Sequence, residues 1–430
     1  MNNDPRSHGL WEASAPPPPA TPPLANEVSA DVAIVGAGFT GLSAALHLAL
    51  GGASAVVVEA VDIGFGGSGR NVGLVNAGMW VMPAMLRAEL GSTYGPRLLQ
   101  HLGDAPALVF ELIERHRIDC QPVRNGTLHC AADAKGLAEL KERARQWQAL
   151  GAPVQLLDPG ETAAKLGTTA YRGSLLDLRA GTIQPLAYVR GLASAAIAAG
   201  VRLHTRSPVV AIEDMGSCWR LRTASGGSVR APWIIVATNA YTGPDGVWSR
   251  LGEELVRLPY FNLATAPLTE ALARSILPQR QGAWDTRRVL SSFRFDRAGR
   301  LIFGSVGALR GPGRGIHPAW GRRALAKLFP RLAGVAFEHE WYGCIGMTAN
   351  ALPCFHELGR NTLSVSGYNG RGIAPGTTFG RDLARLALGQ MSESDLSLPV
   401  TSVRPASWKP VKEAFYEVGA QAAHLLAARF

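Results

Sequence analysis

Three runs along the chain are apolar without interruption: Val32–Val35, the run that ends at Glu59, and Trp233–Ala237. Runs of this length with no polar alternation predict strands buried on both faces, as in a parallel sheet. An Ala/Leu-rich helical segment separates the first two, so residues 31–59 read as strand, turn, helix and parallel strand. Other stretches alternate instead. VRLPYFNLATAPL and RRVLSSFRFDRAGRLIFGSVG alternate apolar and polar residues, which predicts antiparallel strands, the second pair with a turn at Asp296–Gly299. They form a second sheet.

From about Pro83 to Gly167 the period becomes helical, in LRAEL, YGPRLLQHLGDAPALVFELIERHRI and GLAELKERARQWQALGAP. Between the last two, CQPVRNGTLHCA predicts a hairpin around Asn125-Gly126. Gly181–Ala198 predicts a further amphipathic helix, VRLHTRSPVVAIED two short strands, and WRLRTASGGSVRA a hairpin. Leu363–Ser366 reads as a strand leading through glycines into a helix, and the tail from Ser402 is proline-rich, then helical. Residues 1–27, with APPPPATPP, read as an extended arm without helix, because proline removes donors and fixes φ. Trp11 anchors that arm on the surface of the body.

Composition adds bounds. A chain of 430 residues, 47% hydrophobic and 18% charged, is ordinary for a globular protein of two or three domain-sized units. The net charge is +10, but only six of the 43 basic residues are lysine and none forms a run. A dispersed basic surface gives no footprint for nucleic acid, so no nucleic-acid partner is expected. It does favour an anionic small molecule. Five cysteines without a CxxC pair indicate neither zinc nor a disulfide framework, and no metal is expected. With no bilayer-length apolar segment and no basic-then-apolar leader, the expectation is a cytoplasmic protein without a transmembrane span. His101, His116 and His129 lack ligand spacing and read as structural.

The chemistry lies in glycines and polar residues at strand ends. In GAGFTG, Gly36 makes the tight turn, Gly38 lets backbone approach a pyrophosphate, and Gly41 lets the helix pack on the strand. The helix N-terminus offers unpaired N–H groups to phosphate. Glu59 follows Gly41 by 18 residues, where a carboxylate binds a ribose hydroxyl. After it, VDIGFGGSGRNVGLVNAG brings Ser68, Arg70 and Asn71 as donors for pyrophosphate and a heterocycle edge. Thr238-Asn239 end the third apolar run at the carboxyl edge of the sheet, where ligands bind.

Taken together, GAGFTG with Glu59, GSGRN, ATNAY and SVSGYNGRGIAPG resemble the FAD-dependent D-amino-acid-oxidase-like superfamily, over about residues 28–395. Within it the chain is similar to the branch of γ-glutamylputrescine oxidoreductase and L-pipecolate oxidase. The resemblance implies an α/β fold with an α+β second domain: a Rossmann-like FAD-binding domain from discontinuous segments and a mixed-sheet substrate domain. The expected division is 28–95, 180–250 and 345–395 for FAD, 96–179 and 251–344 for substrate, and 396–430 as a tail helix. It implies that Gly36, Gly38, Phe39, Thr40 and Gly41 hold the pyrophosphate and that Glu59 and Ala60 meet the adenosine ribose. Backbone at Val209 meets the adenine. Ser68, Gly69, Arg70, Asn71, Gly73 and Leu74 meet the pyrophosphate–ribityl region, and Thr238, Asn239, Gly343 and Gly346 flank the cofactor. Gly370, Arg371, Gly372 and Ile373 lie at the flavin's pyrimidine edge, where a helix dipole stabilises reduced flavin.

The implied reaction is oxidation of a C–N bond in a small amino or imino acid or amine, pipecolate-, sarcosine- or γ-glutamylputrescine-like. Hydride passes to flavin N5 and the resulting imine hydrolyses. Oxygen or a quinone is the electron acceptor. No catalytic acid–base residue is required. A carboxylate-bearing substrate needs a cation, for which Arg287, Arg294 and Arg371 are candidates. Tyr260, Trp284 and Trp341 are candidates for an apolar lining. Two departures from sarcosine-oxidase-type relatives stand out. No lysine occurs between Lys165 and Lys327, so their oxygen-activating lysine is absent. Cys344 lies near their flavin-linking cysteine in a different local pattern, so FAD is expected to be non-covalent. Two other readings are a flavin domain acting on a modified tRNA base and a non-catalytic flavin subunit of a larger oxidoreductase.

Overall fold

The computed structural model describes residues 8–244 and 246–426. Its centre is a seven-stranded sheet in which Val32–Val35 lies between Ala55–Val58 and Trp233–Val236, all parallel. Arg202–His204 extends the parallel set on one side and Thr362–Ser366 on the other. Cys354–Gly359 then pairs antiparallel, and Val400–Thr401 closes the edge. Both GAGFTG-flanking strands are buried at every residue, as uninterrupted apolar runs require.

The helix Phe39–Leu50 lies close on this sheet because Gly41 has no side chain: a Cβ there would stand 2.0 Å from the Gly36 carbonyl oxygen. The helix Ile373–Ala387 packs against it through small residues. A Cβ on Gly380 would stand 2.5 Å from Thr40 O, and Ser43 Oγ donates to Thr377 O at 2.6 Å. On its other side sits Pro185–Ala198, with Tyr188 against Phe39.

A second sheet has eight strands in the order Phe337–Met347, Val256–Pro267, Arg300–Val306, Ser291–Phe295, Gly282–Asp285, Thr127–Cys130, Ser174–Asp177, Val154–Leu157. It is antiparallel except where Gly282–Asp285 meets Thr127–Cys130. One face buries Phe261, Leu263, Phe293 and Phe303 beneath Trp320 and Leu325 of the helix Gly313–Leu328. The other looks toward the first sheet, where Asn262 Nδ2 and Trp341 Nε1 both donate to the Arg70 carbonyl, at 3.1 and 3.0 Å. A four-stranded sheet (Glu27–Ser29, Ser228–Ala231, Trp219–Thr223, Val209–Asp214) stands apart.

Several expectations need correction. The arm is not free of helix: Leu10–Ser14 is helical and Trp11 is fully buried rather than on the surface. No proline lies between Pro5 and Pro16, so LWEAS is free to coil, and Trp11 Nε1 donates to Asn71 O at 2.8 Å. Asn125-Gly126 does not close a hairpin. Val123 bridges Thr182, while Thr127–Cys130 takes Gly282–Asp285 and Ser174–Asp177 as neighbours. Long-range pairing overrides the local turn signal. Gly181–Thr182 is a strand paired with Leu74–Val75, and the helix begins at Pro185 after Gln184 caps it. The segments LRAEL and YGPRLLQ run together as Pro83–Arg115, broken at Gly91 (φ 71°). The strand Phe337–Met347 continues through residues 344 and 345, and Val400–Thr401 pairs with Cys354–Gly359 at the edge of the first sheet. Among the described residues no helix is long and apolar enough to cross a membrane.

Candidate active site

Two helices begin at the carboxyl edge of the seven-stranded sheet, and neither is capped by its own N-cap side chain. Gly38 opens Phe39–Leu50 after Val32–Val35, and Gly372 opens Ile373–Ala387 after Thr362–Ser366. Uncapped first-turn N–H groups with a partial positive charge form an anion site. Ser68 reaches in from the glycine loop, accepting from Phe39 N at 3.1 Å, and a Cβ on Gly38 would stand 2.9 Å from its oxygen. Glu59, at the tip of Ala55–Val58, accepts from Ala37 N (2.8 Å) and Val61 N (3.0 Å). Burial pushes its carboxyl pKa up against these bonds. Each oxygen keeps a further acceptor site for a sugar hydroxyl.

The rest of the glycine loop serves itself. Asn71 Nδ2 donates to Gly67 O and Ser68 O, and its Oδ1 accepts from Gly73 N. Arg70 is buried with its guanidinium over Phe65, 4.3 Å from the ring centroid. Gly69 and Gly73 allow close backbone passage: their Cβ atoms would stand 2.4 Å from Gly64 O and 2.1 Å from Ile183 O. Leu74 pairs with Thr182, and Ala60 follows Glu59 at the surface. Asn239 Oδ1 accepts from Gly367 N at 3.0 Å and touches the Cβ position of Gly346, joining ATNAY to the late glycine turn. Thr238 bonds to Thr242. Gly343 faces Arg70 and Tyr241. Val209 lies in the four-stranded sheet.

Across from Gly370 a group of aromatic and cationic side chains gathers. Trp80 Nε1 donates to Asn369 O at 2.6 Å and lies beside the Cβ position of Gly370, as does Ile345. His129 stacks on Trp284 (4.9 Å, 20°) because the parallel register sets the two residues opposite each other. Trp80 meets His129 edge-on. Arg371, buried, has its guanidinium 4.9 Å from the Trp80 ring and 5.7 Å from Trp284, and donates to Ala77 O at 2.7 Å. Arg143 supports the group from behind, donating to Trp80 O at 2.7 Å. Burial, then Arg143 and Arg371, hold the His129 pKa well below its usual range, so its ring is neutral. Burial and Arg143 lower that of Arg371, which stays a cation.

Three polar atoms in this group, His129 Nδ1, Trp284 Nε1 and Arg371 Nε, are buried without a hydrogen-bond partner. Clustered unsatisfied groups mark a place built for something else.

Of the sequence candidates for substrate, only Arg371 and Trp284 join this group. Arg287 is exposed and its guanidinium pairs with buried Asp285 at 2.5 Å. Arg294 is fully buried, donating to Phe295 O, Gly73 O and Ile183 O, so its charge braces the loop. Trp341 is buried against Trp11. Tyr260, half-buried on the same sheet face, bonds Ser292 Oγ at 2.6 Å. Sequence reasoning missed Trp80, Arg143 and His129, the last taken as merely structural. Only the strand register reveals His129, by setting it on Trp284.

All five cysteines are free. Among the described residues one group of three potential metal ligands occurs: Glu254, Cys354 and His356. Both His356 nitrogens are engaged there, Nδ1 with Thr401 O at 2.7 Å and Nε2 with Glu254 at 2.6 Å.

Comparison with known proteins agrees with this geometry. The family model for FAD dependent oxidoreductase (DAO) matches residues 31–386. γ-Glutamylputrescine oxidoreductase of Escherichia coli is 34% identical over 383 residues, covering 86% of this chain and 87% of that protein. Glycine oxidase of Geobacillus kaustophilus is 29% identical over 382 residues, 85% and 95% of the two chains. Its crystal structure superposes with a TM-score of 0.69 over 85% of this chain and 96% of that one, at 23% identity. L-Proline dehydrogenase from P. horikoshii gives 0.68 over 86% and 95%, at 15%. With a helix start and strand-tip acid that fit the pyrophosphate and ribose of FAD, the chain belongs to the FAD-dependent oxidoreductase (DAO) family.

Proposed function

We propose that this enzyme oxidises the C–N bond of a small amino or imino acid, with Arg371 taking the substrate carboxylate. FAD, when bound, would supply the two-electron acceptor for this oxidation, whose imine product water hydrolyses. Gly38–Gly41 and Ser68 would hold its pyrophosphate, Glu59 its ribose, and Gly370–Ile373 its pyrimidine edge, with the backbone of Val209 at the adenine. The 28–95, 180–250 and 345–395 segments carry that task, and the eight-stranded sheet covers the substrate.

The observation that carries the proposal is the buried, unpartnered set of Arg371 Nε, Trp284 Nε1 and His129 Nδ1, grouped around Trp80, which itself stands beside Gly370. A guanidinium and an indole N–H are both donors, so the group suits an anion. Trp80 and Trp284 provide apolar walls that exclude water. Non-covalent cofactor is supported by alternation along Phe337–Met347: Ile345 faces Gly370, so Cys344 points to the opposite face. There it lines a cavity of about 570 Å³ with Phe65, Tyr241 and Arg310. Burial also pushes its thiol pKa up.

The test is anaerobic addition of sarcosine, pipecolate, proline, D-amino acids and γ-glutamylputrescine, following flavin absorbance. Bleaching by at least one carboxylate-bearing amine is expected, and a flavin unmoved by every member overturns the proposal. Re-oxidation by air against a quinone analogue then assigns the acceptor.

A further inference from the structure

The C-terminal helix Lys409–Leu426 is built the wrong way round for a surface helix of a water-soluble body. Its polar side faces the protein. Glu417 pairs with Arg310, its carboxylate accepting from Arg310 Nε at 3.0 Å, and Glu413 accepts from Arg257 N at 2.9 Å and lies 3.7 Å from Lys409. His424 is buried against Trp320 and His317. The opposite side is an apolar stripe at helical spacing: Val411 is 60% exposed, Phe415 63%, Val418 62% and Leu426 66%, with Trp408, just before the helix, at 77%.

We infer that this stripe docks the enzyme on an anionic lipid surface. Scattered exposed apolar residues are ordinary, but a continuous stripe marks an interaction face. An apolar face ending in tryptophan and flanked by basic residues is the pattern of a helix lying in the headgroup boundary. Lys412 and Arg404 are exposed at the Trp408 end, and the chain as a whole carries +10. Basic charge near such a face adds attraction to anionic headgroups. A second copy is the weaker occupant. An 18-residue helix is about 27 Å long and its stripe about 10 Å wide, so pairing two would bury roughly 540 Å². Stable partners bury about 1,200 Å² or more.

The test uses the full-length enzyme with its flavin. It is sedimented with vesicles of phosphatidylglycerol and phosphatidylcholine, and with phosphatidylcholine alone. Pelleting with the anionic vesicles, and a fall of about tenfold or more in binding for Phe415→Ser and Val418→Ser, are expected, since each removes an aromatic or branched group from the lipid face. Both sites are exposed, so circular dichroism and flavin content stay unchanged. Lys412→Glu weakens binding most at low ionic strength, and the difference from the parent shrinks as salt screens the charge. The inference is overturned by an enzyme that stays in the supernatant, or by serine variants that pellet as the parent does. It is equally overturned by a dimer in light scattering that Phe415→Ser dissolves without any vesicle binding.

Discussion

Thr40 and Tyr368 lie 328 residues apart and share a hydrogen bond, Oγ1 to OH, of 2.8 Å in the buried interior. Because the Tyr368 hydroxyl donates to Val365 O at 3.2 Å, the Thr40 hydroxyl is the donor to it. The bond ties the first turn of the helix Phe39–Leu50 to the turn that carries Gly370 and Arg371. Tyr368→Phe should therefore lower stability by about 1–2 kcal/mol, the range for losing a hydrogen bond and leaving buried partners unsatisfied. Denaturant unfolding of the apoprotein measures this, and FAD titration should show weaker binding as the two helix starts lose register.

Gly41→Ala should give an enzyme that is less stable by about 1–3 kcal/mol, as overpacking does, and that purifies with little flavin. The methyl would stand 2.0 Å from Gly36 O, which is backbone and cannot turn aside. Gly419→Ala provides the contrast. It lies inside the C-terminal helix with open space around it, and should gain about 1 kcal/mol from helix propensity alone.

Arg371→Lys should raise KM for a carboxylate substrate by about tenfold or more, since a charge-assisted hydrogen bond is worth about 1.5–3 kcal/mol. A substrate amine without a carboxylate should be unaffected in KM. Steady-state kinetics on a matched pair of substrates reads the difference. Equal losses on both would remove Arg371 from carboxylate recognition.

His356 should make the fold lose stability in alkali. Burial opposes its charge, but bonds to Cys354, the Glu254 carboxylate and Thr401 O prevail and hold its pKa up to about 10. A folded pKa above the ordinary 6.5 means the stabilisation is complete below pH 6.5 and drains away as pH rises toward 10. Glu254→Gln should flatten the Tm profile over that range and release the 400–404 segment, because Arg404 N donates to the same carboxylate.

The pair His317 and His424 should act in the opposite sense. Their Nδ1 atoms are 2.8 Å apart, so the bond needs at least one neutral ring, and burial lowers the pKa values to about 4 and about 3. Folded values below 6.5 give stabilisation that is present above pH 6.5 and lost as pH falls through about 4. His424→Phe keeps the stacking on Trp320 and should reduce the acid slope of Tm. Vesicle-free protein is the sample, since the same helix carries the lipid stripe.

The sequence by itself determined what is local or repeats a fixed chemical spacing. Apolar runs declared the buried parallel strands, alternation declared the second sheet, and Gly36, Gly38, Gly41 and Glu59 declared a dinucleotide, because backbone approach to phosphate leaves no freedom in residue type. What tertiary structure alone decided is which side chains meet. Parallel pairing of Thr127–Cys130 with Gly282–Asp285 set His129 on Trp284, a contact between residues 155 apart that no local pattern encodes. Folding also set Arg287, Arg294 and Trp341 apart from the group around Trp80, engaging them with Asp285, backbone carbonyls and Trp11. Only the docked orientation of Lys409–Leu426, with glutamates inward and Phe415 outward, decides which face of the tail helix is covered.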